Sequence, residues 1–440
     1  MARSLTRALA VVGTGLLATG VAVQGDVAFA APPAHAGAAA SVRAAGHDVD
    51  AQAFGRTGLV GLRAAKKKKK KKPSVRLGPI FNAPTGSKSK QGAIDTQITQ
   101  LIAGAPKGAA IYVAMYHFYT KSLATQLINA KKRKVNVRVV LDHDSAGAAA
   151  YKTLKKSLGS NRKKSSWVTL CAKDRGCIAS QFNHNKFFLF STTLGSKNVV
   201  LQTSANATDV AREQQWNDAL TLKSASVYAA YRHYFYDLAK QHHTGNYHRI
   251  VHAGKYRVDF FPWAADDPIS QDLDKVSCTG GTHIRIVMGF FFWKPIAQRL
   301  WKLDDEGCRV QVVVGSVGKS ALRELTRPGG RHGGPEVRYL PEGGQAYEHS
   351  KYLLLDGRYQ GKNQKVLITG SVNYTNVAFH AHDEAMITIA DAALEKSYVT
   401  NFATVFGRGK ALTYADAGAR LAATGVVRSD NADESSAADD

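Results

Sequence analysis

Apolar positions change their period several times between residues 94 and 141. Ile94, Ile98, Leu101 and Ile102 recur at helical spacing and predict a helix over 94–103. Ala110 to Tyr116 is a near-continuous apolar run and predicts a buried strand. Leu123, Leu127 and Ile128 then carry a second helix, with Thr120 placed to cap it. Val135 to Leu141 reads as another buried strand, ending at Asp142. Short strands follow at Phe187–Phe190, Val199–Leu201 and Ala219–Leu222. Strand, helix, strand with apolar runs on both sheet faces predicts a parallel or mixed sheet covered by helices.

The same order returns in the second part of the chain. A helix near 268–276 precedes a strand at Ile284–Met288, and a helix over 295–304 leads to Val310–Val314. Strands at Tyr352–Leu355, Val366–Ile368 and Ala385–Ile389 complete the set. The repeat predicts an α/β chain of two similar halves, 76–245 and 246–410. Each would be a mixed sheet flanked by helices, the two packed about a pseudo-twofold axis with one shared active site. Residues 224–270 would connect them, and Tyr231, Tyr234, Phe235 and Tyr236 read as helix-packing residues.

The ends look different. Arg3 and Arg7, an apolar stretch from Ala8 to Val23 and Ala28-Phe29-Ala30 together read as a signal peptide over 1–30, hence as a secreted, extracellular protein. Residues 31–75 are Ala/Gly-rich and then Lys-rich, and read as a disordered linker. Residues 411–440 read as a tail, acidic and small-residue-rich from Arg428 onwards. The formal net charge is +25, of which Lys66 to Lys72 supply seven. Such a balance suits a polyanionic partner, either nucleic acid or an anionic membrane surface. Four cysteines fit export. Cys171 and Cys177 bracket a short loop, and Cys278 and Cys308 each precede a strand, so local pairs are favoured while spacing leaves the connectivity open. No Cys/His cluster has zinc-ligand spacing.

The chemistry lies in a repeated kit. His184-Asn185-Lys186 is followed by Thr203-Ser204-Ala205-Asn206, and His349-Ser350-Lys351 by Gly370-Ser371-Val372-Asn373. Ser204 lies 18 residues after Lys186 and Ser371 lies 20 after Lys351. An acid comes next: Asp218 is 12 residues after Asn206, and Glu384 is 11 after Asn373. Two imidazoles with paired cationic and amide donors suit a phosphodiester. One His can attack phosphorus while the other protonates the leaving oxygen. Lys186, Lys351, Asn206 and Asn373 would hold transition-state charge, and Asp218 and Glu384 would each orient an imidazole. Tyr116, His117 and Phe118, matched by Phe290 to Trp293, would wall a pocket, with Phe292 on an apolar rim suited to lipid.

These residues resemble the phospholipase D superfamily, whose signature is His-x-Lys-x4-Asp, then Gly-Ser-x-Asn, then a downstream acid. The second copy matches throughout: His349, Lys351, Asp356, Gly370, Ser371, Asn373 and Glu384. The first departs at Ser191, where the signature has Asp, and at Thr203, where it has Gly. The resemblance covers roughly residues 76 to 407. It implies that His184 is the nucleophile and His349 the general acid, an order the residues alone leave open. It also implies hydrolysis through a phosphohistidine with neither cofactor nor metal. Ser204 and Ser371 would touch substrate or shape turns; Asp356 and Ser191 would give structural support. The expected activity is a phospholipase D-type phosphodiesterase releasing phosphatidate and a free alcohol. An extracellular nuclease of the same superfamily and a non-catalytic polyanion-binding protein are the alternatives. No obligate protein partner is implied.

Overall fold

The computed structural model describes residues 73–265, 267–340, 346–417 and 426–429. The signal-peptide reading, the Lys run and all but the end of the linker lie outside them. Helix Ala93–Ala103 buries Ile94, Ile98, Leu101 and Ile102, and each such side chain contributes roughly 1.5–3 kcal/mol when fully buried. Strand Ala110–Met115 runs parallel to Asn136–Leu141, with Met115 opposite Leu141. The crossover is helix Lys121–Lys132, which buries Leu123 and Leu127. Thr120 occupies its N-cap position, but the hydroxyl makes no capping bond.

The first sheet has seven strands among the described residues, in the order Gly78–Phe81, Asp218–Lys223, Ser196–Thr203, Lys186–Thr193, Ala110–Met115, Asn136–Leu141, Trp167–Leu170. The second sheet repeats its centre. His283–Phe291 runs parallel to Arg309–Gly318 and antiparallel to Lys351–Tyr359, which continues through Lys362–Gly370 to Ala385–Ala390. Both halves belong to one compact unit, Lys70–Asp440.

Each sheet has its own core on one face. Ile111, Val113 and Val139 pack with the helices of the first half, and Ile286, Val312 and Leu353 with those of the second. A third cluster joins the halves through helices Ala225–Lys240 and Ala392–Arg408. Tyr231 and Tyr234 of the first helix meet Phe260 of the second sheet, with centroids 5.2 and 4.4 Å apart. Reciprocally, Tyr398 of the other helix meets Phe81 of the first sheet at 4.9 Å. Each half thus ends in a helix that inserts between both sheets, and burial of these aromatics fixes the mutual placement of the halves.

Several boundaries differ from the sequence reading. The helix expected to reach 276 is Pro268–Leu273, because Val276 and Ser277 pair with Tyr359 and Arg358 as a strand. The connection is no loose link: beyond helix Ala225–Lys240, hairpin Arg249–Ala253 and Tyr256–Phe260 extends the second sheet. The tail is ordered in part. Val427 and Arg428 pair with Val317 and Gly318, and Lys410–Leu412 pairs with Glu336–Tyr339. Cys171 bonds Cys177 and Cys278 bonds Cys308. The second pair follows from strand order, since His283 and Arg309 start neighbouring parallel strands.

Candidate active site

The two His-x-Lys triplets open strands Lys186–Thr193 and Lys351–Tyr359. The side chains of His184, His349, Lys186 and Lys351 are all buried. The Lys186 ammonium donates to the carbonyl of His184 at 2.9 Å, and Lys351 does the same to His349 at 2.7 Å. Each half therefore fixes its ammonium beside its own imidazole. The imidazoles are oriented across the interface. His184 Nδ1 lies 2.6 Å from Glu384 Oε1, and His349 Nδ1 lies 2.9 Å from Asn217 Oδ1. Neither half builds a complete site alone.

Asn217 corrects the expectation for Asp218. Ser204 N donates to the carbonyl of Asp218, and Ser371 N to that of Ala385, so Asn217 is the register match of Glu384. The Asn217 amide is pinned: Nδ2 donates to Ala211 O at 3.0 Å, and Oδ1 accepts from Ser204 Oγ at 2.9 Å. Its oxygen must therefore face the imidazole, which makes His349 Nδ1 the donor. Asp218 points elsewhere. Its Oδ2 accepts from Thr369 Oγ1 at 2.8 Å and Tyr398 Oη at 2.9 Å, so it ties the first half to the second. Counting 11 residues from each motif Asn would have found Asn217.

Electrostatics separate the two imidazoles. Burial, with help from Lys186, His382, Lys351 and His349, holds His184 well below the ordinary imidazole range. With its Nδ1–H given to Glu384, the neutral ring would keep the Nε2 lone pair as an acceptor. Asn206 and Asn373 are buried at the same strand ends. Neither Asn206 side-chain atom has a hydrogen-bond partner among the described residues, nor does Asn373 Nδ2. Buried amides without partners are costly unless a ligand meets them. Ser371 Oγ accepts from Ala385 N at 3.2 Å, as Ser204 Oγ does from Asp218 N at 3.0 Å, which suits turn-forming roles.

The walls of the two halves differ. Met115 pairs with Lys186 and Met288 with Lys351, so Tyr116 corresponds to Gly289 and not to Phe290. The Tyr116 ring lies 5.1 Å from the His184 ring and 5.2 Å from Lys186 Nζ. A Cβ on Gly289 would come within 3.2 Å of Lys351 Nζ and 3.3 Å of Asn373 Oδ1, so glycine keeps that side open. Phe290 and Phe292 pack together and are buried, 4% and 7% exposed. Their burial corrects the expectation of an exposed apolar rim.

Ser191 and Asp356 lie at the far ends of their strands. Ser191 Oγ accepts from Ala110 N at 2.8 Å, and Asp356 meets Lys365 at 2.9 Å. Several buried groups escaped the sequence reading. Glu348 Oε1 accepts from His349 N and Ser350 N, and burial pushes this carboxyl up to about 8. His382 joins His184 and Glu384 in a group whose ligand-type atoms lie within 4.8 Å of one another, a set no sequence spacing announced.

A family described as "Cardiolipin synthase, PLD-like domain" matches residues 98–239 and 277–406, one segment in each half. The chain belongs to the phospholipase D superfamily. The fold of this superfamily member is similar to that of phosphatidylserine synthase from Haemophilus influenzae Rd KW20. The TM-score is 0.54 at 16% identity, covering 77% of this chain and 88% of that one. Polyphosphate kinase from Porphyromonas gingivalis gives a TM-score of 0.55 at 12% identity over 77% of this chain. The phospholipase D-like chain spans 48% of that kinase. No curated protein sequence matches it.

Proposed function

We propose that the chain is a secreted phosphodiesterase that cleaves phospholipids to phosphatidate and a free alcohol, with His184 as nucleophile and His349 as general acid. The observation that carries this reading is the 2.6 Å contact of His184 with Glu384 across the interface. A carboxylate on Nδ1 stabilises the positive charge that grows as Nε2 bonds to phosphorus. His349 Nδ1 meets the neutral Asn217 oxygen, which orients the ring and adds less to a positive charge than a carboxylate does, as suits a proton donor. In the first step the N–P bond forms, the P–O bond to the alcohol breaks, and the His349 proton goes to the leaving oxygen. In the second, water gives a proton to His349 and its oxygen displaces His184. Lys186, Lys351, Asn206 and Asn373 meet the charge on the nonbridging oxygens.

The lipid assignment draws on the family description and on the apolar pair Phe290 and Phe292, of which Phe290 N donates to the motif residue Asn373 at 3.3 Å. Export draws on the leader-like residues 1–30 and the two disulfides. One observation favours a nuclease as the second reading. Exposed Lys152, Lys156, Lys163 and Lys164 have no acidic partner among the described residues, as suits an extended polyanion. Purified protein incubated with phosphatidylcholine vesicles, and separately with plasmid and single-stranded DNA, separates the two. Phosphatidate release without strand cleavage supports the lipid reading; strand cleavage alone supports the nuclease. Absence of turnover on either overturns both.

A further inference from the structure

Asp383 adjoins Glu384 and takes part in none of the steps above. Its carboxylate is fully buried and held by three consecutive backbone amides of the other half. Cys177 N donates to Oδ2 at 2.6 Å, Ile178 N to the same oxygen at 3.1 Å, and Ala179 N to Oδ1 at 2.8 Å. Successive amides aimed inward form a nest for an anion. The Cys171–Cys177 disulfide closes this turn, and the first donor amide belongs to a bridge cysteine. Gly176 permits the approach, since a Cβ there would lie 2.7 Å from Asp383 Oδ2 and 2.9 Å from Phe182 O. Cys171 N is anchored to Leu141 O at 2.9 Å, so the loop rides on the first sheet.

The backbones on either side are stitched as well. Asp383 N donates to Phe182 O at 2.8 Å, and Gln181 N to Ala381 O at 2.9 Å. Asn183 and Asp383 form a parallel bridge. One residue further on each chain stand His184 and Glu384. The clamp therefore sets the separation at which carboxylate and imidazole meet. The register match of Asp383 in the first half is Trp216, beside Asn217, where no carboxylate sits. The nest thus serves the His184 side alone.

We propose that Asp383, gripped by the disulfide-closed turn 171–179, is a positioning residue that fixes Glu384 against His184. An intact Cys171–Cys177 bond would then be a condition for full nucleophile activity. The inference rests on the reading of His184 as nucleophile. The groups that bear on the His184 ring include Glu384, Lys186, His382, Lys351, His349 and Tyr116, and Asp142 bears on Asp383.

Two full-length variants test it: Asp383→Asn, and Cys171→Ser with Cys177→Ser. The first readout is the single-turnover rate of phosphohistidine formation from bis(4-nitrophenyl) phosphate. The second is the NMR titration of the His184 and His349 rings. Both variants should slow phosphohistidine formation on the order of 100-fold, the scale of a misplaced reacting group. KM should change little, and the His184 titration should move while that of His349 stays. A folded Asp383→Asn protein with the wild-type rate and an unmoved His184 titration overturns the proposal. Wild-type protein that forms no phosphohistidine overturns the reading of His184 as nucleophile, and the titration then decides the positioning role by itself. If Asp383→Asn does not fold, the cysteine variant decides in the same way.

Discussion

Asn217→Asp would give His349 a charged partner like the one His184 has. The Asn217 oxygen accepts from both His349 Nδ1 and Ser204 Oγ at 2.9 Å, and one carboxylate oxygen can keep both contacts. The other replaces Nδ2 and faces the Ala211 carbonyl, where a 3.0 Å hydrogen bond becomes a repulsion. That carbonyl keeps a second donor, Asn82 Nδ2 at 3.2 Å, so the lost hydrogen bond costs about 0.5–1.5 kcal/mol of stability before the repulsion is added. The new charge favours the protonated imidazole by roughly one to three pH units, as for opposite charges in contact. The alkaline limb of kcat/KM on a soluble chromogenic diester should therefore rise by that amount, while the maximal rate falls because the acid is weaker. Asp218→Asn is the control. An amide oxygen can still accept from Thr369 and Tyr398, so the limb should stay in place. If Asp218→Asn moves the limb and Asn217→Asp does not, Asp218 orients His349 and the geometric assignment is wrong.

Further outcomes follow from buried charge and strand position. Glu348 has its carboxyl raised from 4.5 to about 8 by burial, so folding favours its protonated form. Its contribution is complete below pH 4.5 and is lost as pH rises towards 8. Thermal melts should therefore show Glu348→Gln gaining on wild type between those limits; a gap independent of pH contradicts this. Ser191→Asp should change turnover less than about threefold, well short of the loss expected for an acid–base group, because Ser191 Oγ serves Ala110 N towards the far end of its strand. A larger change would place that end in the reaction. Gly289→Ala should slow turnover of diesters with bulky alcohols more than of small ones, since a methyl would crowd Lys351 and Asn373. Equal slowing would remove Gly289 from substrate selection.

The strands were legible because their apolar runs are continuous and their histidines recur with the same following spacing. Lys186 and Lys351 stand at matching registers opposite Met115 and Met288, as the repeat implied. Partner identity across the interface was less legible. Asn217 lacks a charge, so the motif's downstream acid points to Asp218 one residue later, whose side chain points into the interface core. Asp383 and Glu348 carried no motif signal, because both are held by backbone amides: those of Cys177, Ile178 and Ala179 in the other half for Asp383, and those of the next two residues for Glu348. The Phe290 and Phe292 rim failed for another reason: hydrophobicity shows that a side chain seeks cover, and tertiary packing decides whether protein or membrane supplies it.

The central claim is that one covalent phosphohistidine forms on His184 with His349 as its acid. Base-quenched turnover of a phosphorus-labelled soluble diester, followed by peptide mapping at alkaline pH, tests it directly. Label should accumulate on the peptide bearing His184, persist in His349→Ala when the leaving group is activated enough to depart without a proton, and vanish in His184→Ala. Label on His349, or undiminished turnover in His184→Ala, would contradict the account.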